Sequence, residues 1–520
     1  MKNKKLLPLF LTPVALLVLT GCPWMQPINP DKPDNPDTPD VPDIPVIVDD
    51  NPVIEDSEEY NTFWNPNTEL SIDIEMSQAA AEFIDTYQSD HNNSTYFDYY
   101  VPCTVTIQMN SQTYTFEEVG IRQKGNMSRT SMLYEDNFSM YRLAHYKLSF
   151  KETFDDEEYT TISQLQPFAK TWEDSAARKA RKKRTLFDME KIDIKWNRND
   201  DLSKSKQSYA LKQFRDHGVL VGHDTLAPTT IGITGKDPIY TTYEVLECID
   251  SVFIKRHFSE EFADGDLYKC TYTDRGPANM SKNLTIGNQI GVEDNKTGFH
   301  PSYDLKTNKK KNTTHTNLFN LFNVVNDKTS TAAEFKTKLE KVFDVKSFLM
   351  YESIAFLLGN FDDMRNNANN YYMYFTSGEN PIAFVIPYDF DRCLGAGCEG
   401  RQEYMTNFSA ESTKMQCNGS WQALNIYWRT ICTSTDNNSQ HKNVERVEAY
   451  RALYQKNIED LLNNGDFSNS SFTSYVNSFP IAYRGQADGS GTDNVSFNEY
   501  LTRKISKIKE CNPSYDIKVS

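Results

Sequence analysis

The sequence predicts an α+β fold whose first half is mostly β and whose second half is mostly helical. Residues 101–109 and 113–119 alternate between apolar and polar side chains, which is the pattern of half-buried strands. Residues 345–358 are apolar on nearly every face, which indicates a buried helix. With 38% hydrophobic and 12% aromatic residues, the 520-residue chain can build large cores, so wholesale disorder is excluded.

The N-terminus predicts a lipoprotein signal peptide over residues 1–21. Three lysines precede an apolar stretch from Leu6 to Leu19, which is too short for a permanent membrane span. The sequence Leu-Thr-Gly-Cys, ending at Cys22, resembles a bacterial lipobox and predicts lipidation of Cys22. Pro23 stands where an aspartate could signal inner-membrane retention. We therefore expect a lipid-anchored protein of the bacterial cell envelope, at the outer membrane or cell surface.

A spacer rich in proline and aspartate follows over residues 22–59. Proline restricts the backbone and the aspartates repel one another, so we expect an extended linker. The spacer carries much of the formal net charge of −17. A net negative chain is not expected to bind nucleic acid generally, because neutralising phosphates requires surplus cations.

The folded part of the chain is expected to begin near Tyr60, and its first half predicts a helix followed by a series of strands. The elements, in order, are a helix at 79–84, strands at 101–109, 113–119 and 146–150, a helix around 210–214 that Asp201 or Ser203 caps and Gly218 ends, and strands at 229–233 and 240–246. The turn between the first two strands is predicted at Asn110-Ser111.

The second half predicts helices. Asp344 is the expected N-cap of the helix at 345–358, and Gly359 ends it. Two amphipathic helices are predicted at 445–462 and 496–508. The polar stretch at 274–316, rich in lysine and asparagine, predicts a long surface loop.

Eight cysteines follow Cys22, and outside the cytoplasm an even number permits disulfides. Cys393 and Cys398 bracket a short glycine loop and form the predicted local pair. The chain has no C-x-x-C motif and its histidines are scattered, so no zinc site is predicted.

Acidic side chains flank a predicted β-hairpin at 372–386. Asp362 and Asp363 precede its first strand, and Asp389 and Asp391 follow its second strand. A hairpin brings its two ends together, so these carboxylates and nearby asparagines can face one site. Phosphoryl transfer needs such a set, because a carboxylate positions the attacking hydroxyl and hard oxygen ligands hold Mg²⁺. The alternative is that these residues only cap turns.

Four segments carry a resemblance to a known family, and they are 120–128 (GIRQKGNMS), 146–150 (YKLSF), 243–247 (YEVLE) and 360–391 (beginning NFD and ending IPYDFD). In this order they resemble the spore-coat protein H (CotH) kinase family. The resemblance implies a divergent, protein-kinase-like fold of two lobes, with a first lobe at 60–247 and a second lobe at 248–520. It implies transfer of the ATP γ-phosphoryl group to Ser or Thr of a protein, with Mg²⁺ or Mn²⁺.

The resemblance also implies roles for individual residues. The catalytic aspartate is Asp362 or Asp363, and the Asn-x-Asp spacing favours Asp362. The implied nucleotide contacts are Arg122, Lys124, Lys147 and Glu247, and the implied metal ligands are Asp389 and Asp391, completed by asparagine from among Asn366, Asn367, Asn369 and Asn370.

The alternative function is a non-catalytic surface lipoprotein that has kept the kinase scaffold and binds a glycan or a protein. Its motivation is that ATP is scarce outside the cytoplasm, where the lipobox would place the chain. A fold by itself does not confer activity.

Overall fold

The structure is a computed structural model, and it describes residues 51–90, 98–125, 128–133, 143–197, 201–396, 425–432, 443–486 and 495–519. The predicted signal peptide, Cys22 and the spacer before residue 51 lie outside the described residues. Within the described ranges, no helix is both long enough and apolar enough to cross a membrane.

Seven strands from the first half of the chain close into a barrel in the order β1-β2-β3-β4-β5-β7-β6. They are β1 (Leu70–Met76), β2 (Val101–Met109), β3 (Gln112–Lys124), β4 (His145–Ser149), β5 (Lys191–Trp196), β6 (Asp224–Ile233) and β7 (Ile239–Glu247). Parallel pairing of β1 with β6 closes the barrel, and the other neighbours are antiparallel.

A second sheet has the order β12-β11-β8-β10-β9. Its strands are β8 (Asp266–Cys270), β9 (Ile290–Gly291), β10 (Tyr303–Leu305), β11 (Tyr371–Phe375) and β12 (Ala383–Pro387). The β11–β12 hairpin is buried on both faces, because helices pack against it. The chain is thus an α+β protein with a barrel and a separate sheet.

The helices divide between the two halves of the chain. Those up to residue 257 are α1 (Glu58–Trp64), α2 (Gln78–Gln88), α3 (Glu157–Thr161), α4 (Ser175–Lys182), α5 (Lys206–Asp216) and α6 (Ser251–His257). Those after it are α7 (Thr316–Val325), α8 (Ala332–Leu339), α9 (Val345–Leu358), α10 (Met364–Asn367), α11 (Asn425–Thr430), α12 (Glu448–Asn463), α13 (Asn469–Ser478) and α14 (Phe497–Cys511).

Local sequence chemistry accounts for α9, which supports the candidate site. The Asp344 carboxylate accepts the backbone N–H of Ser347, and Gly359 ends the helix with φ +64°. Nearly all of its residues are buried among α5, α12 and β12. The predicted cap, span and stop of this helix are confirmed.

Two structural predictions are wrong. The stretch at 274–316 is not a simple surface loop, since it contains β9 and β10, and Met280 and Tyr303 are buried in the core. Scattered apolar residues there reach the core although polar residues dominate the composition. Cys393 is a free, buried thiol whose Sγ lies 3.5 Å from the Lys206 carbonyl oxygen, so the predicted Cys393–Cys398 disulfide does not form. Cys398 itself lies outside the described residues.

Candidate active site

The strand register brings charged residues from β3, β4, β5 and β7 onto one outer face of the barrel. Ile192 and Ile194 of β5 point into the apolar interior, so the residues between and after them point outward. Partners directly opposite in antiparallel strands share a face. The outward pairs are Arg122 with Lys147, Lys124 with His145, Lys147 with Asp193, and Lys195 with Glu244.

The Lys195 cluster consists of Lys195, Asp389, Asp391 and Glu244. Lys195 Nζ forms an ion pair with Asp389 Oδ1 and lies 3.3 Å from Asp391 Oδ2. It also donates to Gln207 Oε1 of α5 at 2.9 Å. Asp389, which follows β12, adopts φ +61°, a backbone conformation that is uncommon outside glycine and often marks functional sites.

Burial and the neighbouring charges shift the pKa values of the Lys195 cluster. Burial lowers the pKa of Lys195, but Asp389 and Asp391 outweigh it, so the pKa lies above its usual value. Burial raises the pKa of Asp389, but Lys195 outweighs it and the pKa lies below the usual range. Burial raises the pKa of Glu244 well above its usual value, and Asp224 adds to the rise. Three carboxyl groups therefore surround one ammonium group.

The Asp193 cluster consists of Lys124, Lys147 and Asp193, next along the same face. Asp193 Oδ2 accepts from Lys124 Nζ at 2.6 Å, and Asp193 Oδ1 lies 3.1 Å from Lys147 Nζ. Burial raises the pKa of Asp193, but the two lysines outweigh it and hold the pKa below its usual range. Lys124 also donates to the Tyr388 hydroxyl at 2.8 Å, which connects this cluster to the residue before Asp389.

The other two implied nucleotide contacts lie in different surroundings. Arg122 forms an ion pair with Asp98 at 3.4 Å, and its guanidinium lies 5.3 Å from the centre of the Tyr100 ring. Glu247 accepts from the Tyr60 hydroxyl at 2.9 Å and from the backbone N–H of His223 at 3.1 Å. The structure therefore does not bring Glu247 to the two clusters.

Burial raises the pKa of Glu247, but hydrogen bonding from His223 outweighs it and holds the pKa at about 2. Glu247 and Glu244 are three residues apart on β7, so they point to opposite faces of the barrel wall. Glu244 is the glutamate that faces Lys195.

Asparagines from the turn after α9 orient Asp362. Asn367 Nδ2 and Asn369 Nδ2 donate to Asp362 Oδ1 at 2.7 Å and 3.0 Å. Asn370 Nδ2 donates to Asp362 Oδ2 at 3.2 Å and to its carbonyl oxygen at 2.8 Å. These three implied metal ligands are thus brought to Asp362, where they act through their N–H groups. The Asp362 carboxylate is half-buried and held in one orientation.

Asp363 has a different position from its neighbour. Its side chain is buried and caps α10 by accepting the backbone N–H of Asn366 at 2.9 Å. Burial, with a contribution from Glu352, raises its pKa to about 8. The placement suits a helix cap, whereas the accessible carboxylate is that of Asp362.

Asn360 connects the two acidic turns. Its Oδ1 accepts the backbone N–H of Asp362 at 3.2 Å, and its Nδ2 donates to the Asp389 carbonyl oxygen at 3.3 Å. Its own carbonyl oxygen accepts from Asn366 Nδ2 at 2.6 Å. One buried side chain therefore sets the spacing between the turn of Asp362 and the turn of Asp389.

A small solvent-connected cleft of about 40 Å³ adjoins the Lys195 cluster. Lys195, Gln207, Glu244 and Asp391 line it. Gln207 Nε2 and Glu244 Oε1 are buried and have no hydrogen-bond partner among the described residues. A buried polar atom without a partner is unfavourable, and a ligand in the cleft would satisfy it.

The turn after β3 also has a shape that needs glycine. Gly125 has φ +86°, and a Cβ placed there would lie 2.0 Å from Ser128 Oγ. Only glycine allows this close approach at the end of the strand that carries Lys124.

The donor set around Lys195 fits a divalent metal ion. No group of three or more His, Cys, Asp or Glu side chains already converges as a metal site in the part of the chain that the structure describes. Asp389 and Asp391 nevertheless provide hard carboxylate oxygens, and Glu244 provides an unpartnered one nearby. These are the ligands that Mg²⁺ prefers.

Sequence reasoning missed the roles of Lys195, Asp193, Glu244 and Gln207. Lys195 and Asp193 lie in an alternating strand segment, and alternation indicates a face without identifying what opposes it. The only signal for these roles in the sequence was that the strand of Asp193 and Lys195 carries charged residues on the side opposite its apolar residues. The structure shows that this element is the end of the β11–β12 hairpin.

The family comparison agrees with the predicted resemblance. Residues 121–484 match the family model described as CotH kinase protein. This match spans more than half of the chain, so the chain belongs to the CotH kinase family. No curated protein matches the chain.

Proposed function

We propose that this chain is an ATP- and Mg²⁺-dependent protein kinase that phosphorylates Ser or Thr and is anchored to the bacterial cell envelope by a lipid on Cys22. Family membership supports the kinase class. The observation that carries the proposal is Asn360, which joins the turn of Asp362 to the turn of Asp389. A kinase needs one carboxylate for the acceptor and another for the metal, held at a constant separation.

The parts correspond to those of a protein kinase in their order along the chain. On the outer barrel face that carries the two clusters, the turn at Gly125 follows the first strand, β3, and Lys195 lies on the third strand, β5. The next long helix, α5, carries Gln207, which accepts a hydrogen bond from Lys195. Protein kinases have a glycine-rich loop, a lysine on the third strand and a glutamate on the next helix. In this chain Gln207 stands where protein kinases have that glutamate. The proposed first lobe spans residues 60–247 and the proposed second lobe spans residues 248–520.

In the proposed reaction, the acceptor hydroxyl oxygen bonds to the γ-phosphorus of ATP as the bond to the ADP leaving group breaks, and Asp362 takes the hydroxyl proton. Asn367, Asn369 and Asn370 keep the Asp362 carboxylate oriented. Lys195, and Lys124 and Lys147 beside it, offset negative charge on the phosphates. Asp389 and Asp391 would hold Mg²⁺, which supplies further charge neutralisation.

The test uses the full chain in detergent with labelled ATP and Mg²⁺. We expect autophosphorylation or transfer to added protein, lost in both Asp362→Ala and Asp389→Ala. A rise in melting temperature with ATP and Mg²⁺ should accompany it, because a ligand that binds the native state stabilises it. ATP binding without transfer would instead support the non-catalytic scaffold. If the protein neither binds ATP nor transfers phosphate, the proposed nucleotide site itself is overturned.

A further inference from the structure

The segment after β8 carries large apolar side chains that face solvent. Tyr272 is 54% exposed and Ile286 is 49% exposed. The other large hydrophobic residues exposed in the described part of the chain are Val53, Tyr240 and Ile481, which lie in separate segments. Single exposed apolar side chains are ordinary, so what matters for Tyr272 is its position relative to the candidate site.

The backbone of Tyr272 is linked to the Asp362 carboxylate through the side chain of Asn369. Its backbone N–H donates to Asn369 Oδ1 at 2.8 Å, and Asn369 Nδ2 donates to Asp362 Oδ1 at 3.0 Å. A single side-chain amide therefore joins the backbone of Tyr272 to the carboxylate proposed to bind the acceptor hydroxyl.

The rest of the segment is attached to the same turn. The backbone N–H of Ala278 donates to the Ala368 carbonyl oxygen at 3.0 Å, and the Tyr371 hydroxyl donates to the Ala278 carbonyl oxygen at 2.5 Å. Thr273 and Gly276 pair with each other through two backbone hydrogen bonds. The segment is thus a built extension of the turn that carries Asp362.

We propose that Tyr272 docks the acceptor polypeptide and selects an apolar side chain near its Ser or Thr. This proposal rests on the proposed kinase function. An acceptor hydroxyl must come within hydrogen-bond reach of Asp362. The neighbouring residues of an extended peptide, at about 3.3 Å each, then pass over the surface beside Asp362.

The chemistry of this surface favours a polypeptide over a sugar. Tyrosine is enriched among the residues that carry binding energy at protein interfaces, because it buries a rigid ring at low entropic cost. A lone aromatic ring also suits stacking on a sugar, but the proposed acceptor hydroxyl belongs to Ser or Thr, so a polypeptide is the expected occupant.

The test compares the full chain with Tyr272→Ala and Tyr240→Ala in detergent, with ATP and Mg²⁺. Tyr240 is the matched control, since it is 69% exposed on β7 of the barrel. The probe is a set of Ser and Thr peptides in which each flanking position is varied in turn. We expect the wild-type protein and Tyr240→Ala to prefer an aliphatic or aromatic residue at one flanking position.

Tyr272→Ala should lose that preference. Its KM for the best peptide should rise about tenfold with little change in kcat, as expected for a residue that contributes to binding. The melting-temperature rise with ATP and Mg²⁺ should persist in both variants, which shows that they fold and bind nucleotide.

The outcomes separate the two proposals. Peptide phosphorylation without an apolar preference, or equal behaviour of Tyr272→Ala and Tyr240→Ala, overturns the docking surface and leaves the kinase intact. Autophosphorylation with no peptide modified, or transfer to an oligosaccharide only, also overturns it. Absence of any transfer by the wild-type protein overturns both the kinase and the docking surface.

Discussion

The Lys195 cluster and the Asp193 cluster occupy the same outer face of the barrel but have opposite charge balance. In the Asp193 cluster, one carboxylate lies between the two ammonium groups of Lys124 and Lys147. In the Lys195 cluster, one ammonium group lies among three carboxyl groups. The first arrangement leaves room for an anion, and the second leaves room for a cation.

The difference comes from what each part of the barrel faces. Asp193, Lys195 and Lys147 are placed by strand register alone. The end of the β11–β12 hairpin then adds a tyrosine hydroxyl to one cluster and two aspartates to the other. A metal–triphosphate complex requires neighbouring groups of this kind, with surplus positive charge for the phosphates in the Asp193 cluster and surplus negative charge for the metal in the Lys195 cluster.

Asp389→Ala should have the largest effect, because it removes a carboxylate from the Lys195 cluster, which is proposed to hold the metal ion. We expect phosphotransfer with Mg²⁺ to fall by about 10³-fold. Incorporation of labelled phosphate measures it. The control is Asp216→Ala, which removes an aspartate paired with Lys212 on α5 outside the two clusters. Transfer by Asp389→Ala at the level of this control would remove the proposed metal role.

Asp193→Asn should mainly affect stability, because it leaves Lys124 and Lys147 without their shared carboxylate. Loss of one partner from a buried ion pair costs about 3 kcal/mol in free energy of unfolding. Urea denaturation of the variant, with Asp216→Asn as an exposed control, measures the loss. Added sulfate should restore part of the lost stability by binding between Lys124 and Lys147 in the Asp193 cluster. A variant as stable as the control would show that the cluster contributes no such ion pair.

Acidification should reduce the advantage of wild type over Asp193→Asn. The folded-state pKa of Asp193 is lowered from 3.8, so its stabilising contribution is complete above that pH and is lost as the pH falls further. The unfolding free energies of the two proteins should therefore converge below about pH 4. Denaturation midpoints at a series of pH values test this. A constant difference between the proteins would contradict the ion-pair account.

Tyr388→Phe should have the smallest effect, because it removes only the hydroxyl that accepts a hydrogen bond from Lys124. The ring, whose centre lies 5.4 Å from Lys124 Nζ and 5.5 Å from Lys269 Nζ, is retained. Loss of one hydrogen bond to a charged donor predicts a decrease of about 1 to 2 kcal/mol in unfolding free energy. Chemical denaturation checks it, and an unchanged midpoint would show that Lys124 does not need the hydroxyl.

Much of the local structure followed from the sequence. Helix caps such as Asp344 act on backbone groups three residues away, so their signals are short-range. The predicted hairpin at 372–386 is confirmed as β11 and β12, because two short apolar runs separated by turn residues define it. The acidic residues at its two ends were found for the same reason.

The partners of the charged residues did not follow from the sequence. Glu247 belongs to the family-like motif, yet Glu244 faces Lys195, because an odd spacing along a strand reverses the face. Asp362 and Asp363 are adjacent, and only the course of the turn shows which carboxylate is accessible and which caps α10. Asn360 bonds to a residue 29 positions away, Asp389, so its role depends on the closed hairpin.

The amino-acid sequence by itself determined the helix ends, the strand alternation, the acidic hairpin and the family, because these depend on residues near one another along the chain or on motif order. Only the tertiary structure decided that Lys195 lies among carboxylates and that Asp193 lies between lysines. The physical reason is that the energy of a buried charge depends on the groups facing it across the fold, and those groups come from distant strands.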